Sequence, residues 1–268
     1  MIERAIAPST MKDQTNATAV NKSSPTFVGG LPSAISHGDL GLFPGTKPQG
    51  KRTRRGRTSS YPGIFASTKC LGPALFESLL ERDFQTLLCC DPRVEAYAVQ
   101  AHVLKYWTPR SDGTFTQRRY TPDIVARLRD GRVLVIEVKA AFFAEEKYWR
   151  EREPYIRDAY ARDYALQFIV VTERQIRIQP RLSNFERLLR YGARSDDQVA
   201  EIEVRDVLDH MPNCPCIGDV CASVTLGGNR MSRTYAALMR LALHGEITLD
   251  LDQPLSLSTT IIRKSQNV

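Results

Sequence analysis

Three charged side chains in the stretch YTPDIVARLRDGRVLVIEVKA are of the kinds that serve phosphodiester hydrolysis in metal-dependent enzymes. Asp123 follows Thr-Pro, and Glu137 and Lys139 are separated by one valine. Alternate side chains of a strand share a face, so Glu137 and Lys139 are neighbours if RVLVIEVK forms a strand. The spacing therefore predicts an acid and a lysine side by side, and the open question is whether Asp123 joins them.

The position of Asp123 depends on the loop between the two predicted strands. A two-residue loop at Asp130-Gly131 turns Asp123 to the opposite face of the hairpin. A three-residue loop that also includes Arg129, with Gly131 in the left-handed conformation, sets Asp123 directly across from Glu137. Only the three-residue loop brings both acids and the lysine together.

Convergence of these groups has a chemical purpose. Two neighbouring carboxylates repel each other and lose hydration. Such an arrangement is expected mainly where a divalent cation lies between them and offsets both costs. Asp123, Glu137 and the Val138 carbonyl could hold Mg²⁺, with Mn²⁺ as a substitute, because Mg²⁺ prefers oxygen ligands. Lys139 could orient a water molecule or stabilise charge on a phosphate. The alternative is an ordinary amphipathic hairpin whose acids are solvated.

The flanking sequence predicts the elements that position these residues. The segment LGPALFESLLERDFQTLLCCDP is predicted to contain an amphipathic helix that ends before Asp91-Pro92 and carries Glu77 and Glu81 one turn apart. VEAYAVQAHVLKYW reads as one strand, and IVARLR with RVLVIEVK as a hairpin. The apolar positions of the helix are Leu75, Leu79, Phe84, Leu87 and Leu88.

The segment after the hairpin predicts further elements. FFAEEKYWREREPYIRDAYARDY reads as helical with a break at Pro154, and LQFIVVTE as a short buried strand. Thr172 can cap the following turn, with Gln175 three residues on. The order helix, three strands, helix, strand predicts an α/β fold with a mixed sheet flanked by helices.

The motif TPD, followed thirteen residues later by EVK, resembles the PD-(D/E)xK signature of restriction-type nucleases. The wider series, from ESLLERDFQTLLCCDPRVEAYAVQ to RRYTPDIVARLRDGRVLVIEVK and FIVVTERQI, resembles the TnsA endonuclease of heteromeric transposition systems. The likeness covers roughly residues 75–190 and continues more loosely to the end. It implies a restriction-endonuclease-like core.

The resemblance also implies roles for individual residues. The helix acid of the family matches Glu81, its metal-binding Asp matches Asp123, and its catalytic Lys matches Lys139. Glu137 occupies the remaining motif position, where at least one family member carries Gln. The resemblance therefore implies a metal site of Glu81, Asp123, Glu137 and the Val138 carbonyl.

Two further residues leave alternatives open. Glu77 competes with Glu81 for the role of the helix acid. Gln100 matches a family Gln, and it could either hydrogen-bond a metal-bound water or simply satisfy backbone groups.

Positive charge is concentrated near the N-terminus. Six basic residues lie in residues 47–57 without an acid, against a net charge of +7 for the whole chain. Residues 1–68 are predicted to be a flexible basic arm without a packed core. The arm is either a solvated tail or a nucleic-acid contact that exchanges counterions for phosphates. The predicted DNA contacts are Lys51, Arg52, Arg54, Arg55 and Arg57.

The nuclease domain is expected over residues 69–192 and a C-terminal domain over residues 193–268. QVAEIEVRDVLDH and MSRTYAALMRLALHG read as helices, and EITLDLDQPLSLSTTII as two short strands, an order similar to a winged helix. Arg230, Arg233 and Arg240 suggest DNA binding. The family resemblance instead implies docking to a TnsC-type ATPase.

Composition limits the remaining choices. The 42% hydrophobic and 25% charged residues indicate a globular chain, and no apolar stretch approaches the ~20 residues of a membrane helix. The start of the chain lacks the plan of a secretion signal, so a cytoplasmic, bacterial location is expected. The six cysteines favour no disulfide framework. A zinc site at His210, Cys214, Cys216 and Cys221 has an unfamiliar spacing and remains open.

Together these features predict a magnesium-dependent DNA endonuclease. Similarity to TnsA implies that it nicks the strand at transposon ends that a TnsB-type transposase does not join to the target. A stand-alone restriction or repair nuclease is the alternative within the same class. A non-catalytic adaptor between DNA and the transposase is the alternative outside it.

Overall fold

A computed structural model describes residues 40–50, 61–192, 197–211 and 214–263. Within these residues, most strands precede residue 147, and most helices follow residue 171. The strands are β1 (Gly63–Ile64), β2 (Leu75–Phe76), β3 (Val94–Val99), β4 (Leu104–Pro109), β5 (Phe115–Tyr120), β6 (Ile124–Leu128), β7 (Val133–Val138), β8 (Gln167–Val171), β9 (Ile247–Leu249) and β10 (Ile261–Arg263). The helices are α1 (Leu79–Cys90), α2 (Ala141–Ala144), α3 (Lys147–Tyr164), α4 (Glu173–Ile176), α5 (Arg181–Gly192), α6 (Gln198–His210), α7 (Ile217–Ser223) and α8 (Arg230–His244).

A mixed four-stranded sheet lies at the centre, in the order β3-β6-β7-β8. β6 pairs antiparallel with β3 and with β7, whereas β8 runs parallel to β7. The parallel pair is connected through α3, as a crossover requires. The predicted α/β class with a mixed sheet and flanking helices is confirmed at this level.

The two faces of the sheet are buried against different elements. Ile124, Ile136 and Ile169 pack into a core with α1, α5 and the C-terminal helices. Val135 and Phe168 face the other way and pack against α3. Strand alternation places Glu137 on the face of Val135, towards α3.

The β6–β7 hairpin adopts the register that the three-residue loop predicts. Ile124 pairs with Ile136, and the amide of Leu128 donates to the carbonyl of Arg132 at 2.8 Å. Gly131 closes the loop at φ +87°, a conformation that L side chains rarely adopt. Continuing this register by one pair sets Asp123 opposite Glu137, so the structure selects the three-residue loop of the two alternatives.

The strand predicted over residues 94–107 is in fact two strands. β3 ends at Val99 and β4 begins at Leu104, because Gln100 takes a left-handed backbone conformation at φ +47° that turns the chain. β4 then pairs with β5, which the sequence did not indicate since FTQRRY is mostly polar. The four residues between β3 and β4 thus carry the chain from the central sheet into a separate hairpin.

Two predictions about helices were wrong. Glu77 does not lie on the same helix as Glu81, because Ser78 caps α1 and the helix begins at Leu79. α3 continues through Pro154 without a break. Trp149 and Ile156 are both buried in the same cluster, so packing holds both sides of the proline in one helix. The predicted strand at β8 and the capping box of Thr172 with Gln175 are confirmed.

Residues 40–50 are packed, which contradicts the expectation of an unpacked arm in this part of the chain. Leu40 and Leu42 are buried in a cluster with Val125 and Val133. The Gln49 amide donates to the carbonyl of Gln100 at 2.8 Å. Residues 1–39 and 51–60 lie outside the described residues.

The C-terminal part contains the predicted helices α6 and α8 and the predicted pair of short strands, β9 with β10. It also contains α7, which the sequence analysis missed. Apolar residues of α6, α7 and α8 belong to the same core as α1 and α5. None of the helices in the described ranges has the length and apolar character needed to cross a membrane.

Candidate active site

Glu137 is the most enclosed charged residue of the predicted site. It is 4% exposed at the end of β7, where it accepts hydrogen bonds from Lys139 and from the Tyr120 hydroxyl. Burial raises the pKa of Tyr120 well above its usual value, and the negative charges of Glu137 and Asp123 raise it further. Tyr120 therefore stays protonated and serves as a donor to Glu137.

Lys139 lies beside Glu137, as strand alternation predicts. Its Nζ is 2.9 Å from Glu137 Oε1 and 4.3 Å from the centre of the Trp149 ring. The side chain is 22% exposed, so its ammonium is held in place on one side and accessible on the other. The ammonium thus lies between a carboxylate and an indole face, both of which attract it.

Asp123 is also buried, at 5% exposure. Its Oδ2 accepts the Val138 amide at 2.8 Å, across the end of the hairpin. Its carbonyl accepts the Gln100 amide at 2.9 Å. The carboxylate is thus fixed against the strand that carries Glu137, on the elements that the sequence analysis named.

Glu77 and Glu81 have different surroundings. Glu81 accepts the Ser78 hydroxyl at 2.9 Å and the Glu77 amide at 2.8 Å, so its carboxylate caps α1. Glu77 Oε1 instead accepts the Gln100 side-chain amide at 3.1 Å. Because Gln100 is bonded to the backbone of Asp123, Glu77 is linked to the site through Gln100, and this geometry favours the competitor over Glu81.

Gln100 connects neighbouring segments through its backbone and its side chain, and its predicted contact with a metal-bound water stays a prediction. Its backbone bonds to Asp123 and Gln49, and its side chain bonds to Glu77. A left-handed non-glycine residue is strained, and such residues concentrate at functional sites when their surroundings hold them. Gln100 therefore positions two acids of the candidate site.

A cavity of about 460 Å³ opens onto this region. Glu137 and Lys139 form part of its wall, with Trp149 and Phe143 supplying aromatic surface. Arg119 and Arg152 supply positive charge at the same cavity. A cavity of this composition suits an anionic ligand with apolar parts.

The donor chemistry fits a magnesium ion with few protein ligands. Asp123, Glu137 and the Val138 carbonyl offer oxygen atoms from adjoining strand ends, and Mg²⁺ is usually bound by one or two carboxylates and several waters. Within the described residues, no three His, Cys, Asp or Glu side chains are grouped to hold a metal ion. A third acid would have to come from Glu77 or Glu81 by movement.

Two further sets of residues were proposed from the sequence, namely the DNA contacts of the basic arm and the candidate zinc ligands. Lys51, Arg52, Arg54, Arg55 and Arg57 lie outside the described residues. His210 Nδ1 bonds to the Asp206 carbonyl, and Cys216 caps α7. In the described ranges there is no metal-binding group at the candidate zinc ligands His210, Cys214, Cys216 and Cys221.

The C-terminal arginines are largely committed to internal ion pairs. Arg233 Nε is 2.7 Å from Asp197, and the buried Arg240 Nε is 2.6 Å from Glu201. These two side chains stabilise the packing of α6 against α8. Two of the three arginines that suggested DNA binding by α8 are therefore engaged in ion pairs within the chain.

Sequence reasoning missed Tyr120 and Trp149. Tyr120 stood within the quoted motif, directly before TPD, but the strand that orients it was not recognised. Trp149 lies on α3, and its contact with Lys139 depends on a crossover that spacing does not reveal.

The chain matches no protein-family model, and no curated protein matches it.

Proposed function

We propose that this chain is a magnesium-dependent DNA endonuclease of a heteromeric transposition system. In this role it nicks the non-transferred strand at transposon ends together with a TnsB-type transposase and a TnsC-type ATPase. The proposal includes a restriction-endonuclease-like core and a winged-helix-like C-terminal domain. The observation that carries it is the register of the β6–β7 hairpin, which sets Asp123 opposite Glu137 with Lys139 at 2.9 Å from Glu137.

Burial supports a chemical role for this arrangement. Two acids that are about 95% buried lose most of their hydration, and simple solvation of a surface hairpin does not account for them. Lys139 and Tyr120 compensate Glu137, and the Val138 amide compensates Asp123. The hypothesis of an ordinary hairpin with solvated acids is therefore less well supported.

The residues of the chain would divide the work. Asp123, Glu137 and the Val138 carbonyl would hold Mg²⁺, which polarises the phosphodiester and lowers the pKa of a bound water when it is present. Lys139 would orient the attacking water or stabilise the developing negative charge. Tyr120 and Trp149 keep Glu137 and Lys139 in place.

A non-catalytic adaptor is the second candidate, because one observation favours it. The carboxylate of Glu81 caps a helix, and the described residues contain no group of three metal-binding side chains. A stand-alone restriction or repair nuclease would use the same site on another substrate. Activity that depends on the transposase distinguishes it from the first proposal.

A nicking assay on labelled transposon-end DNA, with Mg²⁺ and the candidate transposase and ATPase, tests the proposal. Asp123→Ala and Lys139→Ala are expected to lose at least about a hundredfold in nicking rate, because each removes a group with no substitute nearby. The matched controls are Asp130→Ala and Lys147→Ala, which remove exposed charges of the same kind.

Melting temperature and far-UV circular dichroism establish that the variants fold. Full nicking by both Asp123→Ala and Lys139→Ala would overturn the endonuclease. Transposition that is unaffected by Asp123→Ala would support the adaptor.

A further inference from the structure

The β4–β5 hairpin has an outward face whose side chains are exposed. Lys105 pairs with Arg119, and Trp107 pairs with Gln117, so these four side chains share one face. All four are exposed, and the Trp107 side chain is 54% exposed. The other face carries Leu104, Tyr106 and Tyr120, which are buried towards α3.

The charges on the outward face are arranged unfavourably for the free protein. Lys105 and Arg119 lie directly opposite each other, and like charges in that position destabilise a sheet. Among the described residues, neither forms an ion pair with an acid. Asp112, at the far turn of the hairpin, is bonded to Thr114. An anionic ligand would relieve this repulsion.

The hairpin adjoins the candidate active site. Arg119 lines the cavity that contains Glu137 and Lys139, and it also lines a second cavity of about 510 Å³ with Gln117. Arg152 of α3 donates to the Arg119 carbonyl at 3.2 Å and fixes the strand there. Arg119 is therefore the residue of the outward face that reaches the candidate site, whereas Lys105 and Trp107 line neither cavity.

We propose that this outward face binds DNA beside the candidate site. Lys105 and Arg119 contact phosphate groups, and Trp107 stacks on a base whose face is open at a single-stranded extension. The inference rests on the proposed function for DNA as the substrate and adds the surface that holds it. Paired cations beside an exposed indole match the chemistry of nucleic acids, which combine regular negative charge with flat aromatic rings.

A protein partner would fit this face less well. Exposed aromatic and arginine side chains also occur in protein interfaces, but Lys is depleted there. A protein would also have to supply two acids opposite Lys105 and Arg119, whereas phosphates supply them at every nucleotide.

Fluorescence anisotropy with the full-length chain tests the phosphate contacts. The probe is a labelled transposon-end duplex with a single-stranded extension, in Ca²⁺ so that binding is measured without cleavage. The variant Lys105→Ala/Arg119→Ala is expected to reduce the slope of log affinity against log salt by about two, since each lost phosphate contact reduces it by about one. The control Arg132→Ala/Arg162→Ala removes two exposed charges elsewhere and is expected to leave the slope unchanged.

Tryptophan fluorescence tests the stacking contact. The chain has two tryptophans, Trp107 and the buried Trp149, so the part of the quench that disappears in Trp107→Phe reports on Trp107. Trp107→Phe is expected to lose most of the quench. Trp107→Ala is expected to bind the extended duplex at least about fivefold more weakly and to lose any preference over a blunt duplex.

The outcomes separate this inference from the proposed function. Wild-type affinity and slope in the hairpin variants would overturn the inference, and would do so even if Asp123→Ala abolishes nicking. Loss of binding in the hairpin variants supports the inference even if the wild-type chain never nicks DNA. Unchanged DNA binding with lost binding of the transposase would assign the face to a protein and overturn the inference.

Discussion

Two neighbouring hairpins of this chain are built in opposite ways. Every residue of β7 is buried, and the β6–β7 hairpin encloses an acid whose charge is compensated by Lys139 and Tyr120. The β4–β5 hairpin exposes most of its residues, and its outward cations oppose each other. Tyr120, the last residue of β5, joins the two by donating to Glu137.

The difference separates two kinds of requirement. Reacting groups must be held in one geometry and shielded from water, which burial and strand pairing provide. A surface that holds a large polyanion must be accessible and positively charged, even though exposed like charges weaken the free fold. On the proposed function, the buried hairpin would carry out the chemistry and the exposed hairpin would hold the substrate.

The largest effect expected outside the two hairpins concerns the third acid, since the buried hairpin supplies only two. Glu77→Ala is expected to reduce nicking by about ten- to a hundredfold with little change in stability, because Glu77 reaches Asp123 through Gln100. Glu81→Ala is expected to lower the free energy of unfolding by about 1 kcal/mol with nicking retained, because it removes a helix cap. Nicking rates and urea unfolding of the two variants measure both effects.

These two variants are matched to each other, since they remove the same group four residues apart. Loss of nicking in a folded Glu81→Ala protein, with full nicking in Glu77→Ala, would restore the assignment that the family resemblance implied. Helix α1 would then supply a reacting group together with the buried β6–β7 hairpin.

The sequence predicted the buried hairpin better than the exposed one, for physical reasons. Strand alternation places Glu137 beside Lys139, but the Asp-Gly sequence allows both a two-residue and a three-residue loop, so local rules left two registers for Asp123. β5 gave no comparable signal, because a hairpin exposed on one face needs few apolar residues.

The positions of Glu77 and Gln100 depend on local structure that the sequence patterns did not reveal. Ser78 decides where α1 begins, and this removes Glu77 from the helix. The left-handed turn at Gln100 has no sequence signal, since glutamine rarely adopts it. The link from Glu77 to Asp123 through Gln100 therefore emerged only from the structure.

An intermediate effect is expected at His102, in the segment between β3 and β4. Its Nε2 lies 2.8 Å from the Tyr160 hydroxyl, and burial lowers its pKa to about 4. The folded pKa is below the unfolded value, so the unfolded chain takes up the proton first. This part of the stability is complete above about pH 6.5 and is lost as pH falls towards 4.

Urea unfolding between pH 7 and 5 measures this contribution. The wild-type chain is expected to lose about 1 to 2 kcal/mol more than His102→Gln over this range. Parallel pH profiles of the two proteins would show that His102 protonates as easily in the folded chain as in the unfolded one. The segment around His102 would then be as accessible to water as the exposed β4–β5 hairpin.

The smallest expected effect is on the stability of the exposed hairpin itself. Lys105→Glu replaces a like-charge pair with an ion pair opposite Arg119, which is expected to raise the free energy of unfolding by about 0.2 to 1 kcal/mol. Lys105→Gln should give a smaller gain, and the gain from Lys105→Glu should vanish in an Arg119→Ala background. Urea unfolding at low salt measures the wild type, Lys105→Glu, Lys105→Gln, Arg119→Ala and Lys105→Glu/Arg119→Ala. If Lys105→Glu stabilises the free chain and weakens DNA binding, the repulsion between Lys105 and Arg119 destabilises the free chain and is offset by bound DNA. If Lys105→Glu does neither, the two hairpins differ only in their exposure to water.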